Sequence, residues 1–371
     1  MKKIYKKITT LIIFLIILSF LVALVFGKKE KFSPNENRYL KTYPEFSVRS
    51  LLNGSYTKDL EQFLTDQFPL RDFFMGLKTT VDKIEMHRDT KGVFFSKDGY
   101  LIQNYDKPIN NDKIIKKLNE FSHKLKYVNF NLMLVPTSVT INKDKLPLNA
   151  PTYNQMDTIN YIYKNIEFDT IPLYKALSNK EYQMFYKTDH HWTSYGAYFS
   201  YLEYARHNNI EPIKFNFFKV DLVSDKFYGT LYSKSNDYSK KPDKIHKFSM
   251  DNENILVDYV FSKKKKESLY EEKYLKKKDK YSYFLDNNHP LIVITNKNIN
   301  NNKELVVIKD SFANSFIPFL VNHYEKIHII DPRFYKMSLT SYIKENKKIK
   351  DGLFLYNVNT VDSDIGILSI K

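Results

Sequence analysis

One short stretch of the sequence concentrates residues that could carry out chemistry. Lys187 to Gly196 reads Lys-Thr-Asp-His-His-Trp-Thr-Ser-Tyr-Gly, and so holds a carboxylate, two imidazoles and the only Trp of the chain. A carboxylate can fix the tautomer of a neighbouring imidazole and stabilise its protonated form, which makes the ring a general base. Asp189 and His191 stand two residues apart on a predicted turn before a helix, so one side chain can reach the other. The stretch therefore predicts an acid–base pair that needs a nucleophile.

A serine far downstream is the candidate nucleophile. Ser311 follows the run Leu-Val-Val-Ile-Lys-Asp, which is typical of a buried strand, and it precedes a predicted helix. Ligands of open parallel sheets lie beyond the carboxyl ends of the strands, and N–H groups at a helix start can stabilise a developing anion. We predict that Asp189, His191 and Ser311 meet in space as orienter, base and nucleophile.

Each of these residues also has a simpler interpretation. Ser311, or Asp310 before it, could cap the helix that follows, since Ser and Asp are favoured N-caps. Asp189 could likewise cap the helix after its own cluster, although Thr193 and Ser194 are better placed to do so.

A metal site is a further interpretation of the cluster. Asp189, His190 and His191 offer oxygen and nitrogen ligands of suitable type, but three consecutive residues rarely converge on one ion without another ligand. Trp192 is most simply a residue of the core or of a pocket wall. We expect no cofactor and no metal, and a metal-dependent hydrolase stays open as an alternative.

The start of the sequence predicts a membrane anchor. Residues 8–27 are almost wholly apolar and carry no charge, and about 20 apolar residues span a bilayer as a helix. The run is long for a signal peptide and lacks a small-x-small cleavage site, which favours an uncleaved anchor. Four lysines precede the run and three follow it closely. The positive-inside rule therefore predicts residues 1–7 as a cytoplasmic tail and an extracellular body.

The remaining chain alternates between helical and strand patterns. Residues 28–54 are polar and marked by prolines, and we expect a linker there. A helical pattern follows this linker, and Pro69 within it should divide it into two helices. Further helices are predicted at 112–125, 155–165, 195–208, 312–322 and 338–346. Strands are predicted at 93–95, 100–102, 130–135, 168–171, 291–295, 305–308, 327–330 and 353–356.

This alternation predicts an α/β fold with a doubly wound, mostly parallel sheet. We expect one extracellular domain over residues 55–371. Residues 215–302 are charged and without a clear period, which indicates an inserted cap region within that domain.

Composition limits the other classes of function. Lys and Arg number 58 against 42 Asp and Glu, a net charge of +16, but lysine is abundant throughout, which indicates a compositional bias. No interleaved aromatic and basic pattern indicates a nucleic-acid partner. The absence of cysteine excludes disulfides, thiolate zinc sites and cysteine nucleophiles.

The motif Thr-Asp-His-His-Trp-Thr at residues 188–193 resembles the one that names the DHHW protein family. That family is similar to the alginate O-acetyltransferase proteins, and both look like circularly permuted relatives of SGNH (GDSL-type) hydrolases, with the Asp/His block before the Ser block. The resemblance covers nearly all of the chain after the anchor. Further stretches of the family's type are Glu36-Asn37-Arg38, Leu134-Val135-Pro136-Thr137, Phe227-Tyr228-Gly229-Thr230-Leu231, Tyr281-Ser282-Tyr283-Phe284-Leu285, Lys309-Asp310-Ser311-Phe312-Ala313 and Leu355-Tyr356-Asn357-Val358-Asn359-Thr360.

The resemblance implies the roles of nucleophile for Ser311, base for His191 and orienter for Asp189. Ser311 stands in an Asp-Ser context similar to the Gly-Asp-Ser of the wider group, with Lys309 where that group has Gly. His190, Trp192 and Asp310 would lie near the site.

The resemblance also implies an oxyanion hole. Its donors would come from the loop that contains Arg333 and from Asn357 or Asn359, since a side-chain amide can stabilise a tetrahedral oxyanion. Both asparagines could equally be turn residues of an Asn-rich chain.

The expected function is that of a membrane-anchored, outward-facing acyl esterase or O-acyltransferase, with acetyl as the expected group and a cell-surface polysaccharide as the glycan partner. In the transfer direction, the related alginate system implies a multi-spanning membrane acyltransferase as acyl donor. The alternative is a non-catalytic glycan-binding or scaffold protein on the same fold. The distance between Ser311 and His191 distinguishes the two, because a working base must lie within hydrogen-bond reach of its nucleophile.

Overall fold

The computed structural model describes residues 2–251, 253–363 and 365–371. The chain forms two compact units. The smaller unit combines the residues up to His87 with Tyr232–Ser239, and the larger combines Arg88–Leu231 with Lys240–Lys371.

The helices and strands are numbered in chain order. The α-helices are α1 Lys2–Phe26, α2 Val48–Leu52, α3 Ser55–Asp66, α4 Arg71–Ile84, α5 Asn111–Lys124, α6 Ser138–Ile141, α7 Gln155–Asn165, α8 Tyr174–Leu177, α9 Ser194–His207, α10 Thr230–Ser235, α11 Leu339–Glu345, α12 Val358–Ser363 and α13 Ile365–Leu368. The strands are β1 Phe32–Ser33, β2 Arg38–Tyr39, β3 Asp89–Thr90, β4 Val93–Phe95, β5 Leu101–Gln103, β6 Asn129–Val135, β7 Asp169–Thr170, β8 Lys219–Phe227, β9 Asp243–Ser249, β10 Ile255–Tyr259, β11 Lys264–Lys266, β12 Leu291–Asn296, β13 Glu304–Lys309, β14 Lys326–Ile330 and β15 Ile349–Asn357.

The smaller unit contains α1 to α4. Lys3–Phe26 is long and apolar enough to cross a membrane, with a mean hydropathy of 3.1. Pro69 separates α3 from α4 as predicted, because proline cannot continue a helix interior. The segment after α1 is held onto α3, since the Arg38 guanidinium donates to both carboxylate oxygens of the buried Asp66, at 2.9 and 2.5 Å.

The larger unit is organised around an eight-stranded sheet of order β11-β10-β12-β14-β13-β15-β6-β7. Strands β14, β13, β15, β6 and β7 pair in parallel, whereas β12, β10 and β11 pair antiparallel at one side. The predicted α/β fold with a large, mostly parallel sheet is therefore confirmed.

Both faces of the sheet are covered by apolar side chains. Along β13, Leu305 and Val307 pack into one core cluster, while Val306 and Ile308 pack into a second cluster on the opposite face. Because the central strands are buried on both faces, their sequences are nearly continuous apolar runs, which are easily recognised.

The predicted helix at 312–322 is wrong. The chain forms two short 3-10 helices instead, Ser311–Ser315 and Ile317–Phe319. Pro318 lacks the N–H that a continuous α-helix would need at this point.

The region at 215–302 divides into two kinds of structure. Strands β8 and β9 form a separate two-stranded antiparallel sheet, whereas β10, β11 and β12 extend the main sheet. In β10, burial alternates with partial exposure from residue to residue, so its period of two is that of a strand with one covered face.

Candidate functional site

The candidate nucleophile lies where β13 ends. Asp310, not Ser311, is the N-cap of the following 3-10 helix, and its carboxylate accepts a hydrogen bond from Phe312 N at 2.9 Å. The same carboxylate accepts from the backbone N of Asn357 at 2.8 Å and from its side-chain amide at 2.6 Å. Burial raises the pKa of Asp310 to about 6. Because Asp310 takes the capping role, the Ser311 hydroxyl is left for another partner.

The acid–imidazole cluster occupies a tight loop before α9. Phe185 and Trp192 form an antiparallel bridge, and Tyr186 N donates to His191 O at 3.2 Å, which closes the loop between them. Thr193 caps α9 by accepting from Gly196 N at 3.3 Å. Since Thr193 is the cap, Asp189 is not needed for that role.

The structure brings the two distant segments together through one imidazole. His191 Nδ1 lies 2.6 Å from Asp189 Oδ1, and His191 Nε2 lies 2.7 Å from Ser311 Oγ. A neutral ring that donates from Nδ1 to the carboxylate can accept the Ser311 hydroxyl proton at Nε2. Asp189 and His191 are buried, at 2% and 5% exposure, so the contact between them is largely shielded from water.

The Asp189 carboxylate is fully engaged by its neighbours. Its Oδ1 also accepts from His191 N at 3.0 Å, and its Oδ2 accepts from Thr230 N at 2.7 Å and Thr230 Oγ1 at 3.0 Å. Burial works to raise the pKa of Asp189, but the adjacent His190 and His191 and the hydrogen bonds outweigh it and hold the pKa well below its usual range. The carboxylate is therefore ionised at neutral pH.

Gly229 lies directly against this carboxylate. A Cβ atom at Gly229 would overlap the Cβ and Oδ2 atoms of Asp189. Because residue 229 is a glycine, the backbone of the stretch from Phe227 to Leu231 can approach Asp189 closely. Thr230 then donates two hydrogen bonds to the Asp189 carboxylate.

Asp243 of β9 holds the loop through its first residues, and no sequence pattern indicated this contact. Its buried carboxylate accepts from Lys187 N at 2.8 Å and from Thr188 N and Oγ1, both at 2.7 Å. The link joins residues more than fifty positions apart, and an isolated acid in a charged region has no pattern that would reveal it.

Tyr281 was also missed as a site residue. Its ring stacks on His191 with centroids 3.7 Å apart and planes 9° from parallel, and its hydroxyl donates to Ser311 O at 3.2 Å. The only sequence signal was that the stretch from Tyr281 resembles the family pattern. Tyr281 therefore contacts both the imidazole and the backbone of the serine.

Trp192 and His190 lie beside the contacts among Asp189, His191 and Ser311. The buried Trp192 indole donates to Phe312 O at 3.0 Å and to Ser315 Oγ at 2.9 Å, which joins the two segments a second time. His190 Nδ1 lies 2.7 Å from Thr230 Oγ1.

Asp189, His190 and His191 could also hold a metal ion, since one ligand atom of each lies within 4.8 Å of the others. In the present arrangement both ring nitrogens of His191 already contact protein oxygens, Asp189 Oδ1 and Ser311 Oγ. An ion bound through His191 would have to replace one of these contacts.

The residues expected at the oxyanion hole lie in other contacts. The Asn357 amide donates to Asp310 and to Thr360 Oγ1, both at 2.6 Å. Asn359 Oδ1 accepts from the Gln155 amide at 2.5 Å, and Arg333 pairs with Asp331 at 2.6 Å. Among the described residues, the structure shows no hydrogen bond from the Asn357 or Asn359 side chain to Ser311.

Comparison with known proteins identifies the family. Residues 90–330 match the family model for the DHHW protein. The chain belongs to the DHHW protein family. The matched region contains Asp189, His191 and Ser311, and the resemblance seen in the sequence is confirmed. No curated protein matches the sequence.

Solved structures share the fold of this DHHW family member. A DHHW family protein from Eubacterium siraeum aligns with a TM-score of 0.67 at 23% identity, over 76% of this chain and 96% of that one. Bacillus cereus PatB1, solved with a sulfonyl adduct, aligns with a TM-score of 0.64 at 23% identity, over 75% of this chain and 98% of that one. The O-acetyltransferase domain of Pseudomonas putida AlgJ aligns more weakly, with a TM-score of 0.46 at 11% identity over 74% and 93%.

Proposed function

We propose that this DHHW family member is a serine-dependent acyl esterase or O-acyltransferase that acts on cell-surface polysaccharide, with acetyl as the acyl group. The observation that carries the proposal is the His191 ring held between Asp189 at 2.6 Å and Ser311 at 2.7 Å. This is the arrangement that converts a weakly nucleophilic hydroxyl into a nucleophile, because the base is oriented and within reach of the proton.

The proposed reaction has two acyl-transfer steps. Ser311 Oγ attacks the acyl carbonyl carbon while its proton passes to His191 Nε2, and collapse of the tetrahedral intermediate breaks the bond to the leaving oxygen, which takes that proton. The acyl-serine then loses its acyl group to water or to a sugar hydroxyl, whose proton passes to His191 before it returns to Ser311 Oγ. Asp189 stays ionised throughout and stabilises the imidazolium.

The Ser311 backbone N–H is the oxyanion donor that we propose first. It stands at the first position of a 3-10 helix, where N–H groups have no partner within the helix, and the described residues show no hydrogen bond from it. A role for Asn357, Asn359 or Arg333 stays a prediction, and Asn357 would have to leave Asp310 or Thr360 to take it.

We further propose that α1 anchors the protein, with residues 1–7 in the cytoplasm and the catalytic domain over residues 55–371 outside the cell. The order of the Asp/His block before the Ser block supports a circularly permuted relative of SGNH hydrolases. In the transfer direction, a multi-spanning membrane acyltransferase would supply the acyl group, and no nucleic acid is involved.

The test is turnover of p-nitrophenyl acetate by the full chain in detergent. Ser311→Ala should lower kcat/KM by at least about 10³-fold, because the nucleophile is lost. Ser262→Ala, which changes an exposed serine of the same unit, is the matched control and should retain parental turnover. Turnover that is equal in Ser311→Ala and the parent, or absent from the parent, would contradict the proposal.

A glycan-binding or scaffold function on the same fold is the alternative. It would be favoured by a wide separation between the serine and the imidazole, whereas the two atoms lie 2.7 Å apart. The distance therefore favours the enzyme.

A further inference from the structure

Helix α4 of the smaller unit has three distinct faces. One face packs on the segment Tyr232–Ser239: Thr79 Oγ1 donates to Ser235 O at 3.3 Å, and a Cβ at Gly76 would come within 3.0 Å of the Tyr238 ring. A second face is polar and carries Lys78, which lies 3.0 Å from Asp82.

The third face is apolar and uncovered. Phe73, Leu77, Val81 and Ile84 are 62%, 47%, 41% and 74% exposed. With 3.6 residues per turn these four side chains fall within an arc of about 80°, so they form one continuous stripe. We call this stripe the apolar face of α4. Exposed apolar patches of this kind mark surfaces that contact another phase or molecule.

Direct contacts connect this helix with the apolar span of α1. Phe20 stacks on Phe68 with ring centroids 5.5 Å apart and contacts Phe74 at 5.9 Å. Phe20 lies six residues before the end of α1 at Phe26, which corresponds to about 9 Å along a helix. If the end of α1 marks the edge of the hydrocarbon, Phe68 and Phe74 contact the span inside that edge.

Hydrogen bonds hold this arrangement just beyond the span. Glu30 N donates to Gln67 Oε1 at 3.1 Å, and the Gln67 amide donates to Glu30 O at 2.9 Å and to Lys41 O at 3.1 Å. The Arg38–Asp66 pair adds a charged contact of 2.5 Å. The junction between α3 and α4 is therefore fastened within a few residues of the end of α1.

We propose that the apolar face of α4 lies in the outer lipid interface of the membrane, with lipid as its occupant. Interfacial helices bury an apolar face about 5–10 Å deep, which matches the depth at which Phe20 meets Phe68 and Phe74. The smaller unit then contacts the membrane through α4 as well as through α1. This inference rests on the proposed membrane anchor.

The test places tryptophan probes in the full chain, reconstituted in vesicles of phosphatidylcholine and phosphatidylglycerol without other proteins. The native Trp192 is fully buried, so its emission is a constant background. Phe73→Trp and Leu77→Trp should each lose about half or more of their added emission when the lipid acyl chains are brominated, given burial of 5–10 Å.

Two control probes separate the possible outcomes. Lys78→Trp, on the polar face and 74% exposed, should keep its emission, and Phe14→Trp, within α1, should be quenched. Quenching of Phe14→Trp without quenching of Phe73→Trp and Leu77→Trp would show that lipid does not cover the face, which would overturn the inference and leave the anchor intact. Failure of Phe14→Trp to be quenched would overturn the anchor and the inference together.

Discussion

At the scale of single residues, the site depends on one imidazole with two occupied nitrogens. His191 contacts Asp189 through Nδ1 and Ser311 through Nε2, and Tyr281 stacks on its face. Each contact restricts the ring, so His191 would need little reorganisation to accept a proton in its proposed role as base. The sequence predicted that Asp189, His191 and Ser311 would meet. It did not predict that Tyr281 would stack on the imidazole, because Tyr281 lies ninety positions from His191 and was marked only by the resemblance of its stretch to the family pattern.

Asp189→Asn should preserve the shape of the loop but remove the charge that orients His191. The amide can donate to Nδ1 and so favours the wrong tautomer, and in a serine hydrolase the equivalent loss lowers kcat by about 10⁴-fold. We expect a fall of this order in kcat for p-nitrophenyl acetate and only a small change in the melting temperature. A variant that keeps a large share of parental kcat would show that Asp189 does not orient the base.

Lys309 offers a pH-dependent test of the buried polar network behind Ser311. Its ammonium is fully buried and donates to Asn288 and Asn314, both at 2.7 Å, and burial lowers its pKa from 10.5 to about 8. Between these two pH values the unfolded chain binds a proton that the folded chain has lost, so stability rises with pH across this window.

Lys309→Met lacks this titration and is the reference for the measurement. From pH 8 to 10.5 the parent should gain up to about 3 kcal/mol of unfolding free energy relative to Lys309→Met. Urea unfolding of both chains in detergent at the two pH values measures the difference. A difference that does not change with pH would mean that Lys309 keeps its ordinary pKa.

At the scale of elements, loops and helix caps position the proposed reacting groups. Strand β13 leads to Ser311 at its carboxyl end. The strands around β13 were predictable because they are buried on both faces and therefore apolar throughout. The turn after β13 was not, because Asp310 caps it and Pro318 interrupts it, and both short-range effects competed with an apolar helical pattern. Asp243 could not be predicted, since only the tertiary fold brings β9 to Thr188.

Gly229→Ala should lower the turnover rate by moving Asp189. The added Cβ must displace Asp189, and a displacement of about 1 Å in a catalytic group can cost about 10²-fold in rate. We expect a loss of this size in kcat for p-nitrophenyl acetate. Lys226→Ala, at an exposed position near the same loop, is the control and should behave as the parent. Unchanged kcat in Gly229→Ala would show that contact with Asp189 is not critical.

At the scale of the whole molecule, the chain combines an apolar first helix with an α/β unit of a known family. The sequence predicted the helix from its length and lack of charge, and it predicted the sheet from the alternation of patterns. It predicted β12 at 291–295, but it did not predict β10 and β11 or the antiparallel pairing of these three strands at one side of the sheet. Strands β10 and β11 lie in a lysine-rich region whose charge masks the period of two.

The orientation in the membrane can be tested cleanly because the chain has no cysteine. Ser262→Cys, exposed in the larger unit, should react with a membrane-impermeant maleimide on intact cells. Tyr5→Cys, 67% exposed in the predicted cytoplasmic tail, should react only after the cells are permeabilised. The opposite pattern would reverse the proposed topology.

The most direct measurement is covalent labelling of the full chain with phenylmethylsulfonyl fluoride, followed by mass spectrometry of its peptides. A serine activated by an imidazole at 2.7 Å should form one sulfonyl adduct at Ser311, and the adduct should be lost in His191→Ala as well as in Ser311→Ala. Absence of the adduct from the parent, or an adduct at Ser311 that persists in His191→Ala, would contradict activation of Ser311 by His191.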